Sequence, residues 1–402
     1  MLSQDIEEKL ADVLVKRIED ANATIFEKIG KTIKAISTLT PSQAYQVSQI
    51  LKYGGSYEEI AKELAKASGK NVQDIYKIFE EVAKSNKQFA KEFYKYRGMD
   101  FIPYNKDIAL QNQVKSIARI TANTYINISR TSGIGFVFED INGQRYFKDL
   151  KQSYYEIIDR GILSISQGKE TFQTEMRRIM KQIGNSGLVL YDSGRTKRLD
   201  SAVRMNILDG VRQLNSEINQ RFGEEYGADG VEISVHSNPA PDHADIQGRQ
   251  FSKEEFEKLD NGDIAKDVKG HTYDGADRRH IEQYNCYHKL FNIILGVSKP
   301  LYTDEQLKKI QQDNNKGFEY EGKHYTMYEG TQLQRRLETE IRKSKDTQIL
   351  AKSSGDMELV DESQKRITLL THKYNDLCKT SGLLPQKQRM QVSGYRRIKV
   401  WK

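Results

Sequence analysis

The chain contains little cysteine, little proline and no long hydrophobic run. Two cysteines, Cys286 and Cys378, occur among 402 residues, too few for a disulfide framework, so the sequence predicts a reducing compartment. Six prolines favour long uninterrupted helices, because proline removes a helical hydrogen bond. No apolar stretch approaches the roughly 20 residues that span a bilayer, and the charged pattern after Met1 is not typical of a signal peptide. We therefore expect assembly in a cytoplasm and no membrane partner.

Charge of both signs is abundant, with a net excess of +7. Basic residues mostly alternate with acidic ones, which is typical of a solvated surface, although such a balance also permits contact with nucleic acid. A denser basic cluster closes the chain and is the candidate surface for a DNA backbone. Its members are Lys387, Arg389, Arg396, Arg397, Lys399 and Lys402.

Hydrophobic spacing predicts three regions and a predominantly α-helical α+β fold. Residues 1–130 are expected to be a helical N-terminal region, in which Asn71 is a candidate N-cap that starts a helix. Residues 131–226 are expected to hold a hairpin turning at Asn142-Gly143, followed by helices that link to the core. Residues 227–402 are expected to form a small α+β domain with C-terminal helices, beginning with an alternating strand that ends at His236.

Five of the seven histidines lie between His236 and His288, together with Cys286. Cys286 and His288 face the same side only if the backbone is extended there. In that case His236, His243, Cys286 and His288 form a set that suits tetrahedral zinc. The spacing matches no standard finger, so the alternative stays open that these histidines hydrogen-bond loop backbone in a domain with a small core.

Two elements of this region carry a recognisable pattern. The first is the strand ending in His236, a polar loop, His243, and then Gln247-Gly248. The second is Asn285-Cys286-Tyr287-His288. Together they resemble the phage minor capsid protein 2 family, which is similar to the wider group of Mu-F-like head proteins. Tyr287 replaces the arginine usual in that family, which weakens any clamp on phosphate or carboxylate. The resemblance covers about residues 195–398, and the N-terminal half fits mainly by its position and helical nature.

The resemblance implies a Mu-F-like α+β domain in a low-copy structural component of a tailed bacteriophage head. The implied location is the capsid interior, and the implied role is in head assembly or DNA ejection. Its expected partners are the portal protein, the major capsid protein and packaged double-stranded DNA.

An enzyme is the alternative function: a metal-dependent nuclease or hydrolase, or a toxin-like enzyme, built on the His/Cys cluster. The sequence carries no P-loop, no Gly-x-Ser-x-Gly elbow and no His-Glu-x-x-His helix. His280-Ile281-Glu282 resembles the deaminase His-x-Glu, but no Pro-Cys-x-x-Cys partner follows. A metal with four protein ligands would leave no open position for substrate. We therefore expect a protein that is not an enzyme.

Overall fold

The structure is a computed structural model. It describes residues 4–40, 43, 56–96, 98–129, 133–140, 142–192, 195–260, 280–282 and 286–398, and the statements below concern those residues. They form a mostly helical α+β fold with small antiparallel sheets, as the sequence predicts.

Long helices dominate the chain, as the scarcity of proline predicts. In chain order they are α1 (Gln4–Ser37), α2 (Ser56–Tyr96), α3 (Ile108–Ile128), α4 (Leu150–Ser166), α5 (Lys169–Ser186), α6 (Leu199–Glu225), α7 (Lys253–Leu259), α8 (Asp304–Lys316), α9 (Met327–Ser354) and α10 (Met357–Ser381). Short 3-10 turns cover Tyr104–Lys106 and Lys387–Met390. Within the described residues, no helix combines the length and apolar character needed to cross a membrane.

The strands form three antiparallel sheets. They are β1 (Ile134–Glu139), β2 (Arg145–Asp149), β3 (Val189–Asp192), β4 (Arg195–Arg198), β5 (Gly230–Ile233), β6 (Gln250–Ser252), β7 (Leu290–Ile293), β8 (Phe318–Tyr320) and β9 (Lys323–Tyr325). The sheet orders are β2-β1-β3-β4, β6-β5-β7 and β8-β9. The hairpin expected around Asn142-Gly143 is present, and Asp140 pairs with Gln144 across a loop in which Gly143 has a φ of 79°.

Asn71 does not start a helix, and this prediction was wrong. It lies inside the continuous helix α2 with no exposed surface. Its Nδ2 donates to the carbonyl oxygen of Leu14 at 2.9 Å and to the hydroxyl of Tyr125 at 2.8 Å, and its Oδ1 accepts from Arg17 at 2.9 Å. Asparagine is common at helix N-caps, but here its buried side chain connects α1, α2 and α3 through hydrogen bonds.

The main hydrophobic core draws on all three sequence regions. It includes Phe26 of α1, Phe79 of α2, Phe136 of β1, Val211 of α6 and Leu350 of α9. Helix α1 therefore packs in the same core as the C-terminal helix pair α9 and α10. The three-domain division of the sequence stays a prediction, since a shared core does not decide whether each part folds alone.

A buried ionic junction also connects helices α1 and α9 with the start of α6. The guanidinium of Arg198 lies 3.2 Å from Asp200 and 3.0 Å from Asp346 of α9, and Arg342 lies 2.8 Å from Asp200. Glu19 of α1 faces the same group; burial, and then the nearby Asp200 carboxylate, raises its pKa to about 7. Charged groups taken out of water stabilise a fold only when they are paired, so this junction depends on its full set of partners.

Candidate metal centre

The central strand β5 positions the first half of the site. It ends at Ile233, three residues before the predicted end at His236, although the amide of Ser234 still donates to the carbonyl oxygen of Lys289 at 2.8 Å. It pairs with β6 on one side and β7 on the other, so the loop after β5 and the segment before β7 leave the same end of the sheet.

Gly248 closes the loop that carries His243. Its amide donates to the carbonyl oxygen of Ile233 at 2.7 Å, and its φ is +73°. A Cβ there would lie 2.4 Å from Cδ2 of Leu307 and 2.8 Å from Cγ2 of Val235. Positive φ and close packing together require glycine, which is the physical reason for glycine in the Gln247-Gly248 pair.

His243, Cys286 and His288 converge in the interior. The Sγ atom of Cys286 lies 3.4 Å from Nδ1 of His243 and 3.3 Å from Nδ1 of His288. One ligand atom from each residue can be chosen so that all three lie within 4.8 Å of one another, and all three side chains are buried. Residues 286–289 are not helical, which places Cys286 and His288 on one side, as the spacing required.

The outer nitrogens of both imidazoles face oxygen atoms. Nε2 of His288 lies 3.3 Å from Oε1 of Gln247, and Nε2 of His243 lies 3.5 Å from Oδ2 of Asp242. Oε1 of Gln247 also accepts from the backbone amide of His236, which identifies this atom as the amide oxygen. Both histidines are therefore set to carry the proton on Nε2 and to present the Nδ1 lone pair toward Cys286.

His236 lies beside this set and outside it. Its ring centroid is 4.1 Å from that of His288, at a tilt of 50°, and its Nδ1 is 2.8 Å from the carbonyl oxygen of Ser237. Burial lowers the pKa of its imidazole, and the neighbouring His243 lowers it further. The structure thus brings together three of the four residues expected to bind metal and packs the fourth, at a tilt, against one of them.

Two of the three distances among the converging atoms suit zinc. Tetrahedral zinc with bonds of about 2.0 to 2.3 Å holds its ligand atoms about 3.3 to 3.8 Å apart, and the two sulfur-to-nitrogen distances lie in that range. Oxygen partners on the outer nitrogens are typical of metal-binding histidines, because they fix the tautomer and the ring orientation. The sequence did not indicate that Asp242 and Gln247 contact the outer imidazole nitrogens, although Asp242 directly precedes His243 and Gln247 lies four residues beyond it.

Tyr287, at the position where arginine was expected, is held by two arginines from elsewhere. Nη2 of Arg389 lies 3.3 Å from its hydroxyl, and the guanidinium carbon of Arg212 lies 4.9 Å from its ring centroid. The hydroxyl of Tyr287 and Nη2 of Arg389 each lie 3.1 Å from Oε1 of Glu8 in α1. No sequence motif shows this group, because its members lie up to 381 residues apart.

The predicted basic cluster does not form one uniform surface. Lys387, Arg396 and Arg397 are exposed, whereas three quarters of the Arg389 side chain is buried in its contact with Glu8. Lys399 and Lys402 lie outside the described residues. DNA binding by these residues stays a prediction.

The described residues form a mostly helical protein in which a small sheet lies next to a buried His/Cys cluster. A family model described as "Phage minor capsid protein 2" matches residues 4–379. The chain therefore belongs to the phage minor capsid protein 2 family, and its match includes the N-terminal helices as well as the half where the resemblance was first seen. No curated protein and no solved structure matches the chain. Membership makes it a structural component of the bacteriophage virion.

Proposed function

We propose that this minor capsid protein binds at the portal vertex or the inner capsid wall and acts in head assembly or DNA ejection. It would contact the portal protein or the major capsid protein, and packaged DNA through the exposed part of the C-terminal cluster. The observation that carries a structural role is the integration of the chain: the Glu8 contact with Tyr287 and Arg389 joins α1, the His/Cys loop and the C-terminal segment. Such a body suits a rigid adaptor.

The experiment is to locate the protein in purified particles by quantitative mass spectrometry and electron microscopy of assembled heads. We expect a fixed copy number per particle by mass spectrometry. We also expect density for this protein on the interior face of the portal vertex or of the capsid wall. A protein made during infection in the host cytoplasm but absent from finished heads would contradict it.

We propose further that His243, Cys286 and His288 bind zinc, and that the metal stabilises the fold. The ion would join the loop after β5 to the segment before β7, and it would satisfy all three donor atoms at once. By contrast, a thiol proton pairs with one imidazole nitrogen at a time. The burial of all three side chains supports a role in holding the two loops together.

The second candidate is a metal-dependent nuclease or hydrolase, and one observation favours keeping it. His236 is not in the converging set, and three protein ligands with one remaining position are typical of catalytic zinc. A metal held by these three residues would keep one position open to substrate, so its coordination would not exclude catalysis. Incubation with plasmid DNA and divalent metal ions decides between the two: cleavage that His243→Ala abolishes would show the enzyme, and intact plasmid supports the structural role.

A further inference from the structure

A cleft of about 810 Å³ opens beside the His/Cys cluster. One wall is the loop after β5 and the segment of residues 286–288. The rest of the lining comes from the end of α8, the start of α9 and the segment that follows α10. This volume lies within the range of sites that enclose a small ligand or a short stretch of chain.

The cleft lining combines side-chain amides, apolar groups and cationic groups. Asn238, Gln332 and Gln386 offer both donors and acceptors, which are the groups that pair with peptide N–H and C=O. Leu383 and Leu384 lie at the same opening, and Leu384 is 78% exposed. An extended peptide presents backbone polar groups and alternating side chains, so it matches both kinds of lining.

The charged groups in the lining are Arg335, Arg389 and Asp313. Arg389 also contacts Glu8 outside the cleft, so Arg335 is the cation whose charge is most available. Among the described residues Arg335 makes no ion pair, although Glu338 lies near it on the same helix. A carboxylate entering the cleft would meet a guanidinium able to bind it through two parallel hydrogen bonds.

We propose that this cleft binds an extended acidic segment of a partner protein, with a carboxylate at Arg335 and the peptide groups on the amide side chains. The inference rests on the proposed structural role, because it gives the adaptor a site for its protein partner. Nucleic acid is a poorer match. A DNA-binding surface contacts several phosphates, whereas this lining has two cations and one acid. A phosphate backbone also offers no apolar group for the two leucines to contact.

The test measures fluorescence anisotropy with the full chain and two fluorescein-labelled hexapeptides. One alternates leucine with aspartate, and the other replaces each aspartate with asparagine. Arg335→Gln is compared with Arg336→Gln, because Arg336 is the exposed neighbour that does not line the cleft. We expect the acidic peptide to bind about tenfold more tightly than its amide counterpart, as one charge-assisted pair would give. Arg335→Gln should abolish that preference, and Arg336→Gln should retain it.

Equal binding of both peptides, no binding of either, or equal effects of the two substitutions would overturn the inference. A single-stranded oligonucleotide that binds more tightly than the acidic peptide and depends on Arg335 would also overturn it. Failure here leaves the proposed role in the head to be judged by the location of the protein in particles, which the peptides do not measure.

Discussion

The Sγ atom of Cys286 lies 3.3 Å from Nδ1 of His288, two positions along the chain, and 3.4 Å from Nδ1 of His243, 43 positions away. The first contact is local and follows from extended backbone. The second exists because β5 and β7 are neighbours in one sheet, so their flanking loops meet.

Gln247 should raise the affinity of the site for metal without binding the metal itself. Its Oε1 accepts from Nε2 of His288 and from the amide of His236, so Gln247→Ala removes the group that orients the ligand. Loss of such a partner typically weakens metal binding about 10- to 100-fold. Competition against a colorimetric zinc chelator measures the change, and Gln247→Glu, which keeps the acceptor oxygen, serves as the control. An unchanged affinity in Gln247→Ala would contradict the role.

Gly248 should tolerate alanine poorly, and Gly296 provides a matched control. Both residues have φ near +74°, but a Cβ at Gly296 would meet no atom within 4 Å, whereas one at Gly248 meets Leu307 at 2.4 Å. Gly296→Ala should cost about 1 kcal/mol of unfolding free energy for the backbone alone. Gly248→Ala should cost about 3 kcal/mol, since crowding adds to that cost. Urea unfolding measures both, and equal losses would show that the packing at Gly248 is unimportant.

Asn71→Ala should destabilise the helical core. It leaves the carbonyl of Leu14 and the hydroxyl of Tyr125 without the amide donor they share, and a buried polar group without a partner is costly. We expect a loss of about 2 to 3 kcal/mol in the free energy of unfolding. Asn123→Ala, at an exposed position of α3, should change it by less than about 0.5 kcal/mol. Similar losses at both positions would contradict the role of Asn71 as a buried link.

Glu19 should make the stability depend on pH. Burial, and then the Asp200 carboxylate, raises its folded pKa to about 7 from an ordinary value of 4.5, so the folded state binds this proton more tightly than the unfolded state. Its contribution therefore falls as the pH rises from about 4.5 to 7. Asp346, with a pKa raised to about 6 by burial, acts in the same direction at lower pH.

Glu19→Gln removes the Glu19 contribution. The variant should exceed the wild type in unfolding free energy at pH 8, and the difference should shrink toward pH 5. Denaturant unfolding at four pH values measures this, with Glu254→Gln as an exposed control. A Glu19→Gln advantage that does not vary with pH would contradict the assignment.

The sequence predicted local features well where local chemistry decides them. The hairpin expected at Asn142-Gly143 is present, because Gly143 adopts the positive φ of 79° that the turn requires. The sequence failed at Asn71, where burial among three helices outweighs the preference of asparagine for a helix start.

At the site, too, the sequence predicted contacts that follow from residue types and missed contacts that depend on long-range packing. Residue types indicated that His243, Cys286 and His288 meet, because histidine and cysteine concentrate there. They could not show that His236 lies outside the set and packs against the ring of His288, which depends on where β5 ends. Nor could they show that Arg389 reaches Tyr287, which depends on the packing of the C-terminal segment against α1.

The measurement that tests the central claim most directly is the zinc content of the purified full-length protein, paired with its melting temperature with and without a chelator. The account predicts about one zinc per chain and a chelator-induced fall in melting temperature. Cys286→Ser should remove both, whereas Cys378→Ser, at the other buried cysteine, should keep both. Protein without stoichiometric metal that melts at the same temperature in chelator would contradict the claim that a metal at His243, Cys286 and His288 stabilises this capsid protein.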